Sequence, residues 1–244
     1  MRRRAPGDAT VVLEGPRTLS EALAAGIEPS VVVTAESAMN SPPVRAALDQ
    51  LDPGVEMMAL TDRAFQSVAP AASPQPVLAL VDRPQAGLPG SMARGDLVLV
   101  LVGVSDPGNT GTIIRTAEAC ASCCVVVVGG ADPWAPKAVR ASAGSVLRVP
   151  VVQAADAGAV LGTLRVAGAS VVAADSSEGE AYDSGVLAGQ NPVALVLGSE
   201  SHGLDHSIHG LADSRVRIPM AGVTESLNVA MAATLLAFEY RRQR

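Results

Sequence analysis

The feature that most constrains this chain is a series of short runs dominated by valine, leucine and isoleucine, at 97–102, 125–128, 146–152, 170–174, 193–197 and 215–218. A strand with one face in water alternates apolar and polar residues, whereas a run apolar throughout needs cover on both faces. Between these runs lie alanine- and leucine-rich stretches at helical spacing, near 110–121, 156–167, 204–211 and 226–242. Strand–helix alternation of this kind predicts an α/β fold built on a largely parallel sheet. The last stretch is rich in small residues (Ala230, Ala232, Ala233, Ala237), which places that helix in a core or at a subunit interface.

The first third repeats the pattern on a smaller scale. Apolar runs at 10–13, 31–34, 55–58 and 77–81 flank helical candidates near 18–25, 43–51 and 61–66. A Pro/Gly-rich stretch at 82–90 then interrupts any hydrophobic period, as a boundary should. The expected organisation is a small α/β domain over 1–82, a linker over 83–94 and a larger α/β domain over 95–244. A chain of 244 residues, 48% hydrophobic and with net charge −6, can build such cores and is not disordered. With one Trp, two Tyr and two Phe, it is no module that binds single strands by stacking bases on exposed rings. No apolar run reaches the roughly 18–20 residues of a membrane span, and no apolar stretch follows Met1-Arg2-Arg3-Arg4 to make a signal peptide. Cys120, Cys123 and Cys124 crowd together and read as structural thiols rather than a disulfide framework or metal site. A soluble cytoplasmic protein is expected.

Three segments put polar residues directly after buried runs, where α/β sheets bind ligands. The first runs from Ser105 to Ala119 and includes Asn109, Gly111 and Arg115; Arg115 is expected about one turn into a helix, where a helix N-terminus and a guanidinium together favour an anion. The second is Leu197-Gly198-Ser199-Glu200-Ser201-His202-Gly203, whose glycines let a ligand approach the backbone. The third is Ile218-Pro219-Met220-Ala221-Gly222-Val223-Thr224-Glu225-Ser226-Leu227-Asn228, with Thr224 or Ser226 as the expected helix cap. Each alone is accounted for by an ordinary capped helix or turn.

Together, in this order and spacing, they resemble the three motifs of the SpoU/TrmH family of RNA ribose 2′-O-methyltransferases, in the SPOUT superfamily. The resemblance covers about 95–244 and includes Lys137-Ala138-Val139-Arg140-Ala141-Ser142-Ala143-Gly144-Ser145. Leu13-Glu14-Gly15-Pro16 and Ser73-Pro74-Gln75-Pro76-Val77-Leu78-Ala79 are similar to the family's N-terminal domain, which is like ribosomal protein L30e. The chain departs from the family pattern at Ala121 and Ser201, where glycine is usual.

The resemblance implies a trefoil-knotted, dimeric catalytic domain that binds S-adenosyl-L-methionine. Ala174, Gly198, Ser199, Gly203, Ile218, Met220 and Leu227 would contact this methyl donor, and Asn109, Arg115, Glu200, Ser226 and Asn228 would form the catalytic set. It further implies methyl transfer to a specific ribose in structured RNA, ribosomal rather than transfer RNA. No metal is expected. A guanidinium stays protonated, so Arg115 suits holding a phosphate and stabilising negative charge on oxygen better than accepting a proton. Glu200 would pair with Arg115 and fix its fork.

The acidic net charge sits oddly with an RNA substrate, whose affinity comes from phosphate contacts. A local patch of Arg2 to Arg4, Arg115, Lys137, Arg140, Arg241, Arg242 and Arg244 could supply them, and binding would then weaken steeply with salt. Two other readings stay open: a non-catalytic RNA-binding or ribosome-assembly factor, and a small-molecule methyltransferase on the same fold. His202, His206 and His209 have spacing that permits a metal site, but read better as a solvated helix face.

Overall fold

The computed structural model describes residues 10–71, 73–187 and 192–243; Arg2 to Arg4 and Arg244 of the expected basic patch lie outside the described residues. The first part forms β1 (Thr10–Glu14), α1 (Pro16–Ala24), β2 (Pro29–Ala35), α2 (Pro42–Leu48), β3 (Glu56–Leu60), α3 (Asp62–Val68) and β4 (Val77–Asp82). These strands make a four-stranded mixed sheet in the order β1-β4-β2-β3. The second part forms β5 (Leu97–Val102), α4 (Pro107–Ala119), β6 (Cys124–Val128), α5 (Pro136–Ala141), β7 (Val151–Ala154), α6 (Ala157–Val166), β8 (Ser170–Ala174), β9 (Glu180–Ala181), β10 (Val193–Leu197), α7 (His206–His209), β11 (Ser214–Arg217) and α8 (Val229–Arg242).

Its seven-stranded sheet has the order β7-β6-β5-β10-β8-β11-β9, parallel at every pairing. The apolar runs are explained by two-sided cover. Along β5, Leu97, Leu99 and Leu101 join a core with Ile113 and Ile114 of α4 and Leu236 of α8. The intervening Val98 and Val100 join a second core with Val160, Leu161 and Leu164 of α6. Each fully buried aliphatic side chain contributes about 1.5–3 kcal/mol.

The first of these cores continues into the smaller sheet, taking in Val11, Leu13, Leu19 and Val32. A polar joint accompanies it. The Glu14 carboxylate, almost wholly buried, accepts hydrogen bonds from the Gln75 backbone N–H at 2.9 Å and from Arg140 Nη1 at 3.2 Å. Gly15 beside it has φ of 100°, and a Cβ there would lie 2.5 Å from Gln75 Oε1, so this corner needs glycine. Segment 83–94 forms no helix or strand; Leu88 and Met92 pack on the core beneath α6.

Several elements differ from their sequence expectation for identifiable reasons. α4 begins at Pro107, because Asp106 caps it, accepting the Asn109 N–H at 3.0 Å, and proline suits the first helical position. Arg115 is therefore more than two turns into the helix, not one. The run 146–152 splits into a tight turn at Ser145–Leu147 and a strand beginning only at Val151. Pro150 has no N–H to pair, and its carbonyl accepts the Val125 N–H at 2.9 Å. α8 begins at Val229 with Asn228 as its cap, in place of Thr224 or Ser226.

Candidate active site

The carboxyl ends of β8, β10 and β11 and the start of α8 enclose a cleft of about 680 Å³, within the usual range for small-molecule sites. Ala174 closes β8, Gly198 follows β10, and Ile218 and Met220 follow β11. The cleft is lined by Ala174, Gly198, Ser199, Gly203, Ile218, Met220 and Leu227, the whole set expected at the methyl donor, and by Glu200, Ser226 and Asn228 of the expected catalytic set. Its apolar wall is extended by Leu197 and Leu236. Gly198 is dictated by close approach: a Cβ there would lie 2.3 Å from the Gly203 carbonyl. Ser199 and Gly203 exchange backbone hydrogen bonds of 3.0 Å, so the turn carries Glu200 to the rim in one conformation.

At that rim a hydrogen-bonded chain crosses three elements. Asn228 Nδ2 donates to Asn109 Oδ1 at 3.0 Å, and Asn109 Nδ2 donates to Glu200 Oε1 at 2.7 Å. Glu200 Oε2 accepts from the Ser105 amide and hydroxyl, each at 3.3 Å. The Asn228 side-chain carbonyl is already committed to the Ala230 N–H at 2.9 Å, which fixes which way its amide points. Burial pushes the Glu200 carboxyl up, but the bonds from Asn109 and the backbone amides outweigh it and hold it below the ordinary value. Glu200 is an anion near neutral pH, suited to orienting its donors rather than to shuttling protons.

Arg115 is placed elsewhere. It lies on the exposed side of α4, outside this cleft and within a second, shallow one. The expected Glu200–Arg115 pair does not form within the chain: Asn109 in the first turn of α4 faces Glu200, while Arg115, six residues on, is about 9 Å further along the axis and rotated to another side. The described members of the expected basic patch other than Arg115 are each paired. Lys137, Arg140 and Arg242 bond Asp106, Glu14 and Glu239 respectively, and Arg241 donates to the carbonyls of Gly95, Cys120 and Ala121. Arg115 carries no ion pair or hydrogen bond among the described residues.

Asp175 and His209 were not expected at the cleft, yet both line it, with His209 Nε2 at 3.4 Å from Asp175 Oδ2. His209 Nδ1 is buried and unpartnered among the described residues, a polar atom available to a ligand. Asp175 could have been found by its position directly after the apolar run 170–174; His209, expected on a solvated helix face, is instead largely buried against Asp175. Among the described residues no group of three or more His, Cys, Asp or Glu is placed to hold a metal ion. Cys120 and Cys124 are buried, and burial raises the Cys124 thiol to about 12. None of the helices described is long and apolar enough to cross a membrane.

The family model described as the SpoU rRNA Methylase family matches residues 96–238. A 23S rRNA (guanosine(2553)-2′-O)-methyltransferase of Bacillus subtilis is 31% identical over 234 residues, 95% of this chain and 88% of its own length. A 23S rRNA (uridine(2479)-2′-O)-methyltransferase of Streptomyces viridochromogenes is 37% identical over 70% of this chain, which spans 62% of that relative. Among solved structures, the SpoU methyltransferase AviRb from Streptomyces viridochromogenes in complex with the cofactor AdoMet superposes with a TM-score of 0.84 at 29% identity, covering 96% of this chain and 90% of that one. An AdoMet-bound rRNA methyltransferase from Sinorhizobium meliloti gives 0.83 at 28% identity, covering 96% and 87%.

Proposed function

Since this chain belongs to the SpoU rRNA methylase family, we propose that it transfers a methyl group from S-adenosyl-L-methionine to a ribose 2′-hydroxyl of ribosomal RNA. The observation that carries the reading is the Asn228–Asn109–Glu200 hydrogen-bond chain standing at the rim of the cleft that gathers the expected donor-binding positions.

The cleft fits the methyl donor. Ala174, Ile218, Met220 and Leu227 offer an apolar slot for a flat base, the Gly198–Gly203 turn brings backbone polar groups close, and the orphaned His209 Nδ1 and the Asp175 carboxylate supply polar partners. When bound, S-adenosylmethionine supplies a methyl group already activated by its sulfonium. The chain has then to place a ribose oxygen and manage its proton. Alignment can supply up to about 7–11 kcal/mol of such a barrier. Glu200 holds Asn109, and Asn109 holds Asn228, so the amides present one fixed set of donors and acceptors to the incoming hydroxyl. Ser226, on the loop before α8, lines the cleft with an exposed side chain and would assist loss of the proton to bulk water or to the bound phosphate.

In this reading Arg115 holds the phosphate beside the target ribose and steadies charge on the oxygen. Because it does not line the cleft of its own chain, it serves the cleft of a second copy, and the enzyme is a homodimer. Met231, Leu235 and Phe238 of α8, spaced to share one helix face and exposed at 62%, 43% and 47%, are the apolar surface that such a pairing would cover. Residues 1–82 serve as the RNA-binding domain, 83–94 as linker and 95–244 as the catalytic domain, with β10, β11 and their following loops as the knotted region. The place of work is the cytoplasm, with the ribosomes.

Incubating the protein with methyl-labelled S-adenosylmethionine and deproteinised 23S rRNA, then mapping 2′-O-methyl positions, tests the reading. Label should enter rRNA at a discrete ribose, and Arg115→Ala should abolish it while leaving cofactor affinity intact. Label appearing only in a small molecule, or in no RNA at all, refutes it.

A further inference from the structure

The second cleft, of about 290 Å³, lies between α1 of the first part, α4, and the turn at Ser145–Leu147. Three arginines line it, one from each of these regions: Arg17 from α1, Arg115 from α4 and Arg148 just past the turn. We propose that this concavity is an RNA-backbone site in which Arg17, Arg115 and Arg148 hold phosphodiesters flanking the methylated nucleotide. The proposal rests on the rRNA 2′-O-methyltransferase reading and adds to it the path of the substrate strand.

The arrangement of donors supports it. Arg17 commits its Nε to Glu21 Oε1 at 3.0 Å and keeps both terminal nitrogens free. Arg148 commits Nε and Nη2 to the two oxygens of Glu118, the latter at 3.0 Å, and keeps Nη1. Arg115 commits none among the described residues. The two carboxylates thus offset part of the charge of two guanidinium forks without consuming their donors, and the set of three arginines and two glutamates retains a positive balance in a chain whose net charge is −6. A concavity of positive sign on an acidic molecule directs a polyanion to that spot. Glu21 and Glu118 line it with the arginines, and the remaining lining residues are Ala119, Ala143 and Ser145, so there is no aromatic or broad apolar floor for a base or a hydrophobic ligand. What the walls recognise is phosphate.

The position fits the same strand. Arg115, which in the proposed dimer serves the cleft of the second copy, stands in the concavity with Arg17 and Arg148, so the three would hold backbone running from that copy's reacting site, while α1 extends the track onto the first sheet's side of the molecule.

The test compares filter binding of deproteinised 23S rRNA across salt concentrations for wild type, Arg17→Gln/Arg148→Gln and Glu118→Gln. Each lost phosphate contact should lower the slope of log affinity against log salt by about 0.7–0.9, so the double variant should lose about 1.5 and bind about tenfold more weakly at low salt. Glu118→Gln should bind more tightly than wild type. Calorimetric titration with S-adenosylmethionine should be unchanged in all, which reports an intact fold and cleft. If the double variant keeps wild-type affinity and slope with cofactor binding intact, the inference fails and the methyltransferase reading stands. Should the double variant fail to fold, unchanged or weakened binding by Glu118→Gln overturns the inference by itself. Wild type that binds cofactor but no rRNA takes down both.

Discussion

Glu200 shows how one residue's environment fixes what chemistry it can do. Its carboxylate receives the Asn109 amide at 2.7 Å and two weaker donors from Ser105, and these hold it below its ordinary value of 4.5 despite partial burial. A carboxyl depressed in the folded state keeps its bonds at every pH above the unfolded value and loses them only as pH falls through the lower, folded one. The single-turnover methylation rate should therefore show no limb from Glu200 between about pH 5 and 8. Glu200→Gln removes the charge but keeps an oxygen for Asn109, so it should slow turnover by up to about 10²-fold through misplacement of Asn109 and Asn228 while leaving the pH profile in shape. An acid limb near pH 6 that vanished in Glu200→Gln would make this carboxylate a proton carrier and sink the positioning role.

At the scale of elements, α4 is the member that most decides the site, and both its ends are specified. Asp106 and Pro107 start it. At its far end the Ser122 N–H reaches the Ala117 carbonyl at 2.8 Å and the Ala121 N–H reaches Glu118 at 3.0 Å, a Schellman pattern with Ala121 at φ of 51°. Arg241 of α8 then donates to the Cys120 and Ala121 carbonyls, which ties its guanidinium to this helix end. Alanine in the left-handed region costs about 1 kcal/mol that glycine avoids. Ala121→Gly should accordingly raise the melting temperature by about 2–4 °C, read by calorimetry; a lower value would mean that the strain is not carried there.

The same helix marks what could be read from the residues alone. The strands were legible because burial on both faces leaves little but Val, Leu and Ile in β5, β6 and β10, and Ala174, Gly198 and Ile218, which line the cleft, were legible because they close or directly follow strands. The start of α4 was misjudged because the capping signal, Asp106-Pro107, lies before the first apolar position. α5, six residues long, is too short to show a period, and the strand break before Val151 hinged on the missing N–H of Pro150. With α4 starting at Pro107, Arg115 faces away from the Glu200 of its own chain.

For the whole molecule, the separation of Arg115 from the cleft has a consequence that a single chain cannot meet. The chain of Asn228, Asn109 and Glu200 is complete within one copy, whereas the guanidinium that would steady the reacting oxygen is turned away on α4. In the homodimer proposed above, a two-fold pair through the exposed face of α8 would be self-complementary, and each copy would lend its arginine to the other. Phe238→Asp should break the pair in sedimentation, abolish methylation and leave cofactor binding in place. Mixing distinguishes the arrangement more sharply. Arg115→Ala has an intact cleft and no arginine to lend; Glu200→Gln has an impaired cleft and a good arginine. After subunit exchange half of the pairs are mixed, and each mixed pair holds one fully wild-type site, so activity should recover to about a quarter of the wild-type value. If Arg115 served its own chain, every site in the mixture would carry one defect or the other and nothing would be recovered.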